Sequence, residues 1–366
     1  MRIGIFTELF WPGVGGQEIR FQQLSKALAV RGHDVSVYCI SEERSLPRYQ
    51  VQEGVRIWRH PIDPRYRSKI VSWVRNPLTV LRYAYWTRRI VQRERFDAIL
   101  YNIWPVFHVL LAPAHIRREA VVDWCEIQKN LPFNLLKSFL PPRVRLNLGV
   151  SPRVTNEIRR VRGSEVLFIA SGITSSAYAS RPRVERRGVL YIGRITAHKN
   201  VPLMIDAFAQ LRQCGYPARL TIAGTGPFLR NLHQIVLQSS VRDQIDILGS
   251  VDEARKVELL ASTEVVVIPS KREGFPRIIA EAMASGAPVV TVEYPQNGSC
   301  DVVRHYGCGL VTSPNPKSLA TGIETAIARW GEFSAAGLAG ATELDWNVLV
   351  AKLERHIARS PVCIVQ

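Results

Sequence analysis

The sequence predicts an α/β protein with two Rossmann-like domains, each built on a parallel β-sheet, that face a central cleft. Its 366 residues are enough for two domains of ordinary size. In both halves, short runs rich in β-branched residues alternate with helical patterns, which is typical of βαβ units and parallel sheets. The polar stretch 180–187 lies between the halves and suggests a linker near residue 180.

Each half predicts its own set of elements. In the first half, a helix over 17–30 carries apolar residues at helical spacing and ends near Gly32. The strands predicted around it are 3–6, 35–40, 55–58, 98–101 and 120–122. The strands predicted in the second half are 189–192, 220–222, 245–248, 265–268 and 288–292. The helices predicted among and after them are 202–213, 228–237, 254–261, 276–284 and 345–358.

Composition narrows the class of protein. Hydrophobic residues make up 46% of the chain and charged residues 22%, so wholesale disorder is excluded. The formal net charge of +17 indicates a polyanionic neighbour, such as nucleic acid, an anionic membrane surface or a phosphorylated substrate. Six scattered cysteines form no C-x-x-C pair, which favours a reducing cytosol over a disulfide or metal framework. The uncharged stretch 98–116 contains two prolines, so we expect a strand, a loop and a buried helix rather than a membrane span.

Two glutamates, Glu273 and Glu281, bracket a turn and the helix that follows it. Pro276 suits the first position of this helix and Gly286 suits its end. Eight helical residues rise about 12 Å, on the order of the length of an extended nucleotide-sugar. Carboxylate oxygens can accept hydrogen bonds from a vicinal diol, and the N–H groups around Gly274 and Phe275 favour a phosphate. The alternative is a surface helix with two solvated glutamates.

Three glycine-containing turns follow predicted strands. Gly15 and Gly16 lie between the first strand and its helix, where the backbone can approach a phosphate closely. Their spacing is not G-x-G-x-x-G, and a tight βα turn is the alternative. Gly193 precedes Arg194 and Lys199, two cations that could neutralise a diphosphate leaving group, unless both are solvated surface residues. Gly224 belongs to the third turn, for which turn geometry alone is the simpler interpretation.

Taken in order, these motifs resemble the retaining GT-B glycosyltransferases of family 4. The resemblance covers nearly the whole chain and is strongest over 189–292. The segments that carry it are Gly15-Gly16, Gly193-Arg194, Lys199-Asn200, Gly224-Thr225-Gly226-Pro227 and 269–290. It implies an acceptor-binding domain over 1–170, a nucleotide-sugar-binding domain over 171–344, and a final helical segment, 345–366, that packs back on the first domain.

The resemblance also implies roles for single residues. Arg194 and Lys199 are expected to bind the donor diphosphate and stabilise it as it leaves. Glu273 is expected to contact hydroxyls of the donor sugar, and Glu281 is expected to hold the ribose hydroxyls. Family members need no divalent metal and no other cofactor, in agreement with the lack of an Asp-x-Asp pair in this sequence.

Backbone groups complete the implied donor site. Gly193, Gly224 and the turn Gly274-Phe275-Pro276 are expected to line the sugar and the phosphates, although Pro276 has no N–H to donate. Gly15 and Gly16 are expected to approach the diphosphate from the first domain.

The sequence departs from the family pattern after the strand 120–122. Many members carry a histidine there that contacts donor or acceptor, whereas this chain has Asp123. Asp123 is therefore a candidate on the acceptor side, with a capping or surface role as the alternative. His108 is a second candidate, and a structural histidine is the simpler interpretation of it.

The segment 56–95 is strongly basic, with eleven Lys or Arg residues against two acids. On a helix that begins near Asn76 and Pro77, spacings of 4, 3 and 4 predict a shared face. The residues of this face are Arg82, Trp86, Arg89 and Arg93. Arginines around a tryptophan suit an anionic bilayer, and a solvated helix face is the alternative. No nucleic-acid-binding motif accompanies the basic patch, so we expect no nucleic-acid partner.

The sequence therefore predicts an enzyme that moves a hexose from a UDP- or GDP-sugar to a hydroxyl group with retention. The acceptor is expected to be a lipid-linked glycan in cell-surface polysaccharide or glycolipid synthesis. We expect a cytoplasmic enzyme, peripheral at the inner face of the membrane. The alternatives are a nucleotide-sugar epimerase of the same fold and a non-catalytic subunit of a glycan-assembly complex.

Overall fold

The chain forms two compact units. One comprises Met1–Gly172 and Trp346–Gln366, and the other comprises Ile173–Asp345. The structure is a computed structural model that describes residues 1–13, 15–41, 43, 45–60, 76–125 and 131–358.

The stretch 180–187 is not a linker, because it lies inside the second unit. Arg186 is fully buried there, and its guanidinium donates to the carbonyl oxygens of Leu260, Thr263 and Ser285. Arg183 forms an ion pair with Glu264 at 2.5 Å. A run of charged residues that predicted a solvated connection is therefore anchored by buried hydrogen bonds.

The first unit is built on an eight-stranded sheet with the order β3-β4-β2-β1-β5-β6-β7-β8. All neighbouring strands are parallel except β3, which pairs antiparallel with β4. The strands are β1 (Arg2–Phe6), β2 (Asp34–Ile40), β3 (Tyr49–Gln52), β4 (Val55–His60), β5 (Ala98–Asn102), β6 (Val121–Trp124), β7 (Leu146–Gly149) and β8 (Val166–Phe168). All five strands predicted in this half are confirmed to within two residues.

Seven helices are described in the first unit, six of them before its sheet ends. These are α1 (Gly16–Val30), α2 (Pro77–Arg93), α3 (Phe107–Leu110), α4 (Ala114–Glu119), α5 (Leu131–Phe139) and α6 (Pro152–Arg159). The seventh is the last helix of the chain, α14 (Trp346–Ile357). Asn76 caps α2 by accepting a hydrogen bond from the Leu78 N–H at 3.0 Å, as the sequence predicts. None of the described helices is both long enough and apolar enough to span a bilayer.

The second unit has a six-stranded parallel sheet with the order β11-β10-β9-β12-β14-β16 and a two-stranded pair, β13-β15. Its strands are β9 (Val189–Ile192), β10 (Leu220–Ala223), β11 (Ile245–Gly249), β12 (Val265–Ile268), β13 (Arg272–Glu273), β14 (Val289–Val292), β15 (Gln296–Asn297) and β16 (Gly309–Thr312). Its helices are α7 (Val201–Gln213), α8 (Leu229–Gln238), α9 (Glu253–Ser262), α10 (Arg277–Ala284), α11 (Ser299–Tyr306), α12 (Pro316–Ala328) and α13 (Trp330–Glu343).

The last helix packs into the first unit through an apolar face. Phe21, Leu24 and Leu28 of α1 share a core cluster with α14. The buried residues of α14 are Trp346, Leu349, Val350, Leu353 and Ile357. Beside this face, Glu354 is partly buried, accepts hydrogen bonds from Arg31 and lies 2.6 Å from the His33 imidazole. Burial of the apolar face supplies most of the stabilisation of this helix.

We predict that Leu353→Ala destabilises the first unit by about 2–5 kcal/mol, because it leaves a cavity beneath a fully buried side chain. Chemical denaturation measures the loss. Val348→Ala is the matched control on the same helix, since Val348 is exposed and its truncation should cost well under about 1 kcal/mol. Equal losses in the two variants would contradict the packing of α14.

Candidate active site

The topology of the second unit brings two candidate segments to one edge of its sheet. β9 and β12 are parallel neighbours. The next strand in the chain after β9, β10, lies on one side of β9, and β12 lies on its other side. Ligands of open parallel sheets bind outside the carboxyl ends of the strands at such a switch point. Arg194 and Lys199 follow β9, and Glu273 follows β12, so all three lie at this edge.

Lys199 and Glu273 form an ion pair at 2.5 Å, between Nζ and Oε1. Both side chains are largely buried, so water screens their charges weakly. A backbone hydrogen bond from the Lys271 N–H to the His198 carbonyl, at 2.8 Å, ties the two loops together. The structure therefore unites the cation and the carboxylate that the sequence places 74 residues apart.

The loop after β9 is electropositive. Arg194 is exposed, and its carbonyl accepts a hydrogen bond from the Tyr191 hydroxyl at 3.1 Å. Burial and the charges of Lys199 and Arg272 lower the pKa of His198, so its imidazole is neutral near pH 7. The positive charge of this loop is thus carried by the fixed cations, which is the arrangement a diphosphate requires.

Gly224 has a packing role beneath this loop. Its φ of 138° disfavours other residues, and a Cβ there would lie 1.9 Å from the carbonyl oxygen of Gly193. Its N–H donates to the Gly249 carbonyl at 2.6 Å. The geometry supports the simpler interpretation of this turn, in which Gly224 lets two loops approach each other.

The turn after Glu273 is held by the small β13-β15 pair. Glu273 lies opposite Asn297, and the Gly298 N–H donates to the Glu273 carbonyl at 2.9 Å. A Cβ on Gly298 would lie 2.2 Å from the Gly274 carbonyl oxygen, so the approach requires glycine. This contact fixes the backbone of Gly274 next to the candidate catalytic carboxylate.

The helix α10 begins one residue later than the sequence predicts. Pro276 is its N-cap, with extended backbone angles, and Arg277 is its first residue. Phe275 lies between Gly274 and this cap, half-buried. The predicted end is confirmed, since Ser285 is the C-cap and Gly286 has a φ of 67°.

Glu281 is buried, and its side chain is only 4% exposed. Its Oε1 accepts hydrogen bonds from Lys256 Nζ and Arg277 Nε, both at 2.9 Å. Burial works to raise the pKa of this carboxyl, but the charges of Arg277 and Lys256 outweigh burial and lower it. The alternative of two solvated glutamates is therefore wrong for Glu273 and Glu281 alike.

Gly15 and Gly16 lie at the start of α1, directly beyond the carboxyl end of β1. Gly15 is the N-cap, and Gly16 is the first helical residue. The strand order of the first sheet reverses direction at β1, because β2 lies on one side of it and β5 on the other, so β1 is the switch point of this sheet. N–H groups at a helix N-terminus favour an anion, so this position is compatible with a phosphate contact at Gly15 and Gly16, which stays a prediction.

Asp123 has neither of the alternative roles that the sequence left open, capping or surface exposure. It lies in β6, one residue before the end of the strand, and is buried, and its Oδ2 accepts hydrogen bonds from Arg20 Nη2 at 2.6 Å and Nε at 3.2 Å. Arg20 also donates to the carbonyls of Ala170 and Ile169. The pair is buried on both sides, so Asp123 orients Arg20 and joins α1 to the sheet.

His108 is fully buried, with its Nε2 2.6 Å from the carbonyl oxygen of Asn102. Desolvation lowers its pKa to about 3, so the imidazole is neutral. Its ring contacts Tyr83 and Tyr101. This is the environment of a structural histidine. Among the described residues, no cluster of three or more His, Cys, Asp or Glu side chains could hold a metal ion.

The prediction that Trp86 lies among the arginines on the exposed face of the basic helix α2 is wrong. Its ring packs inward against Tyr38 and Tyr83, with ring centres 5.8 and 6.0 Å apart. The exposed face instead carries Leu78, Leu81 and Tyr85. Their spacings of 3 and 4 put them on one side of the helix. The basic residues at 65–75 lie outside the described residues.

Sequence reasoning missed Lys256 and Arg20, two buried cations that each pair with a carboxylate, one in each unit. Lys256 lies in the first half of α9 and Arg20 in the first half of α1, and neither is part of the motifs that the sequence analysis used. Only the contact across the fold identifies their carboxylate partners, Glu281 and Asp123.

Two family models match the chain. "Glycosyl transferases group 1" matches residues 178–336, and "Glycosyl transferase 4-like domain" matches residues 15–147. Relatives align over most of their lengths. An uncharacterised glycosyltransferase of Methanocaldococcus jannaschii is 25% identical over 90% of both chains. The phosphatidyl-myo-inositol mannosyltransferase of Mycobacterium leprae is 25% identical over 97% of this chain and 96% of its own.

Solved structures share the architecture. Sucrose-phosphate synthase from Thermosynechococcus elongatus superposes with a TM-score of 0.77 at 18% identity and covers 97% of both chains. Anabaena HepE, solved in complex with UDP, gives a TM-score of 0.76 at 20% identity over 98% of this chain and 100% of its own. The protein is thus a transferase enzyme, a glycosyltransferase with the GT-B fold. It belongs to the group 1 glycosyltransferases, the family of the sequence resemblance.

We predict that Asp123→Leu destabilises the first unit by about 3–5 kcal/mol, because it leaves the Arg20 guanidinium buried without its carboxylate. The free energy of unfolding from chemical denaturation measures the change. Arg20→Leu combined with Asp123→Leu should regain part of the loss. Asp34→Ala, which removes an exposed ion pair with Arg56, is the control and should cost no more than about 1 kcal/mol. A cost for Asp123→Leu as small as the control would refute the buried-pair interpretation.

Proposed function

We propose that this glycosyltransferase uses a nucleotide-diphosphate sugar and transfers its hexose to an acceptor hydroxyl with retention. The observation that carries the proposal is the Lys199–Glu273 pair at the switch point of the second sheet, with Glu281 on the helix that follows. A sugar-binding carboxylate, a cation for the diphosphate and a carboxylate for the ribose diol are then available for the three parts of such a donor. Anabaena HepE, similar in fold, was solved with UDP-glucose, which favours UDP among the possible nucleotides.

Each candidate residue of the donor site has its own part in the reaction. Arg194 and Lys199 bind the diphosphate and stabilise the negative charge that develops on it as the glycosidic carbon–oxygen bond breaks. Glu273 accepts hydrogen bonds from donor-sugar hydroxyls, and Glu281 accepts them from the ribose. We further propose that no divalent metal is needed, since two fixed cations supply the charge at the leaving group.

Retention follows from a front-face exchange at the anomeric carbon. The acceptor oxygen forms its bond on the face from which the phosphate departs. The acceptor proton passes to a phosphate oxygen, so the leaving group itself balances the charge. Glu273, held by Lys199, orients the sugar for this exchange and need not form a covalent bond.

The acceptor is proposed to be a glycan or lipid-linked hydroxyl presented at a membrane. Relatives along most of the chain include the phosphatidyl-myo-inositol mannosyltransferase above and the alpha-monoglucosyldiacylglycerol synthase of Streptococcus pneumoniae. Their names point to lipid substrates, and we propose a related role in glycolipid or cell-surface polysaccharide synthesis. We further propose that the enzyme works at the cytoplasmic face of the membrane.

The exposed face of α2 supports that location. Leu78 and Tyr85 are each about half exposed, and Leu81 is exposed between them. Arginines flank this apolar strip, and the Arg89 guanidinium lies over the Tyr85 ring at 4.6 Å. An apolar strip between cations suits the boundary between headgroups and acyl chains of an anionic bilayer. We propose that α2 docks the enzyme there.

We predict that Glu273→Ala reduces sugar transfer about a hundredfold or more with the fold intact, because the carboxylate that orients the donor sugar is lost. Sugar transfer is measured with whichever of UDP-glucose or GDP-mannose raises the melting temperature of the wild type. Glu332→Ala is the matched control, since Glu332 is exposed and pairs with exposed Arg329 on the surface. Near-normal turnover in Glu273→Ala would refute its role. A product of inverted configuration, or an epimerised donor without acceptor, would refute the proposed reaction.

We predict that the protein binds vesicles containing phosphatidylglycerol and not vesicles of phosphatidylcholine alone. Arg82→Glu with Arg89→Glu should weaken that binding tenfold or more, because each cation near the surface contributes about 1 kcal/mol. Co-sedimentation measures binding. Arg219→Glu with Arg242→Glu makes the same change in net charge on the second unit and is the control. Equal binding to both kinds of vesicle, or equal losses in both double variants, would rule out docking through α2.

A further inference from the structure

Lys256 is a buried lysine with no role in the chemistry described so far. It lies in the middle of α9 and is 7% exposed. Its Nζ is 2.9 Å from Glu281 Oε1 and 2.7 Å from the carboxylate of Glu253. Glu253 is 78% exposed, so only the bond to Glu281 draws the lysine into the interior. Burying an ammonium is costly unless it is paired, and Glu281 is the buried partner that pairs with it.

Three separate segments converge on Glu281. Lys256 reaches it from α9, Arg277 from the preceding turn of α10, and Tyr178 from the first residues of the unit through a hydrogen bond between the side chains. Lys256 and Arg277 both donate to the same oxygen, Oε1. The carboxylate is therefore held at a defined rotation instead of turning freely at the end of its side chain.

Ionisation of Glu281 depends on the same contacts. The carboxyl is almost fully buried, and burial alone favours its neutral form, in which one oxygen carries a proton and donates it instead of accepting. Arg277 and Lys256 reverse that preference and keep it charged. Arg277 is on the same helix and is partly exposed, whereas Lys256 supplies the cation that is buried with the carboxylate.

We propose that Lys256 is a positioning residue for the nucleoside half of the donor, fixing the Glu281 carboxylate so that it accepts hydrogen bonds from both ribose hydroxyls. The inference rests on the proposed function, in which Glu281 is the ribose ligand. The inference predicts which nucleotides the site prefers. Ligands with an intact 2′,3′-diol bind better than their deoxy counterparts, and Lys256 is the source of much of that difference.

A merely structural ion pair predicts something else. If Lys256 only joined α9 to α10, its loss would weaken the unit and reduce the affinity for every nucleotide by the same factor. The ratio of affinities for a ribonucleotide and its 2′-deoxy form would then stay constant. That ratio is measured within one variant, so a general loss of affinity or stability cancels from it.

Titration calorimetry with UDP and 2′-deoxy-UDP tests the inference on the full chain, with GDP and 2′-deoxy-GDP as the second pair. We expect the wild type to prefer the ribonucleotide tenfold or more, as a hydrogen bond to a charged acceptor gives. Lys256→Met should bring the ratio to within about threefold, and Lys256→Arg should restore most of it. If Lys256→Met does not fold, Lys256→Gln, which keeps a neutral N–H donor, serves the same comparison.

Arg255→Met is the matched control. It removes a cation from the neighbouring position of α9, where Arg255 is exposed and pairs with Glu258, so its ratio should equal that of the wild type. A wild-type ratio in Lys256→Met, with ribonucleotide binding retained, would overturn the inference and leave the proposed function standing. Failure of the wild type to bind either UDP or GDP would overturn the proposed function and the inference together.

Discussion

Parallel pairing between β9 and β12 is the constraint on which the candidate active site depends. These strands lie next to each other in the sheet although more than 70 residues separate them in the chain. The two loops that follow their carboxyl ends therefore lie at the same edge of the sheet. A backbone hydrogen bond from Lys271 to His198 keeps these loops together. Lys199 then meets Glu273, and the turn after Glu273 leads directly into the helix that carries Glu281. The shared location of Lys199, Glu273 and the helix that carries Glu281 follows from that one pairing.

Buried charge is used in the same way in both units. Arg20 is satisfied by Asp123 and two carbonyls, and Arg186 is satisfied mainly by carbonyl oxygens, with the Ser180 hydroxyl as a further acceptor. Lys256 and Arg277 are paired with Glu281. A buried cation stabilises little by itself, because its desolvation offsets most of the attraction. What such a cation provides is a fixed geometry, since every other arrangement leaves it unpaired. These residues therefore hold loops and carboxylates at the carboxyl ends of the strands.

The surface of the first unit shows how a helix can carry two different kinds of contact. Trp86 faces inward and joins an aromatic cluster with Tyr38 and Tyr83. The opposite side of the same helix exposes leucines and a tyrosine among arginines. The basic helix therefore has an exposed surface with apolar residues among its arginines. These apolar residues are Leu78, Leu81 and Tyr85 and not Trp86, which the spacing indicated. Helical spacing predicts which residues share a face of the helix. The elements that pack against the helix decide which of those residues are buried.

The sequence by itself determined the two parallel-sheet halves, the positions of the strands that precede the candidate site residues, and the family. Runs of β-branched residues between turns are sufficient for that, because local conformation and burial act on neighbouring residues. It also placed Arg194, Lys199, Glu273 and Glu281 in the candidate site. It missed short or polar strands such as β3 and β8, whose few residues are stabilised by the strand beside them. Only the tertiary structure decided that Asp123 pairs with Arg20, that His108 is enclosed, and that Lys256 reaches Glu281. Such contacts join residues far apart in the chain, and no local pattern encodes which buried charge will find which partner.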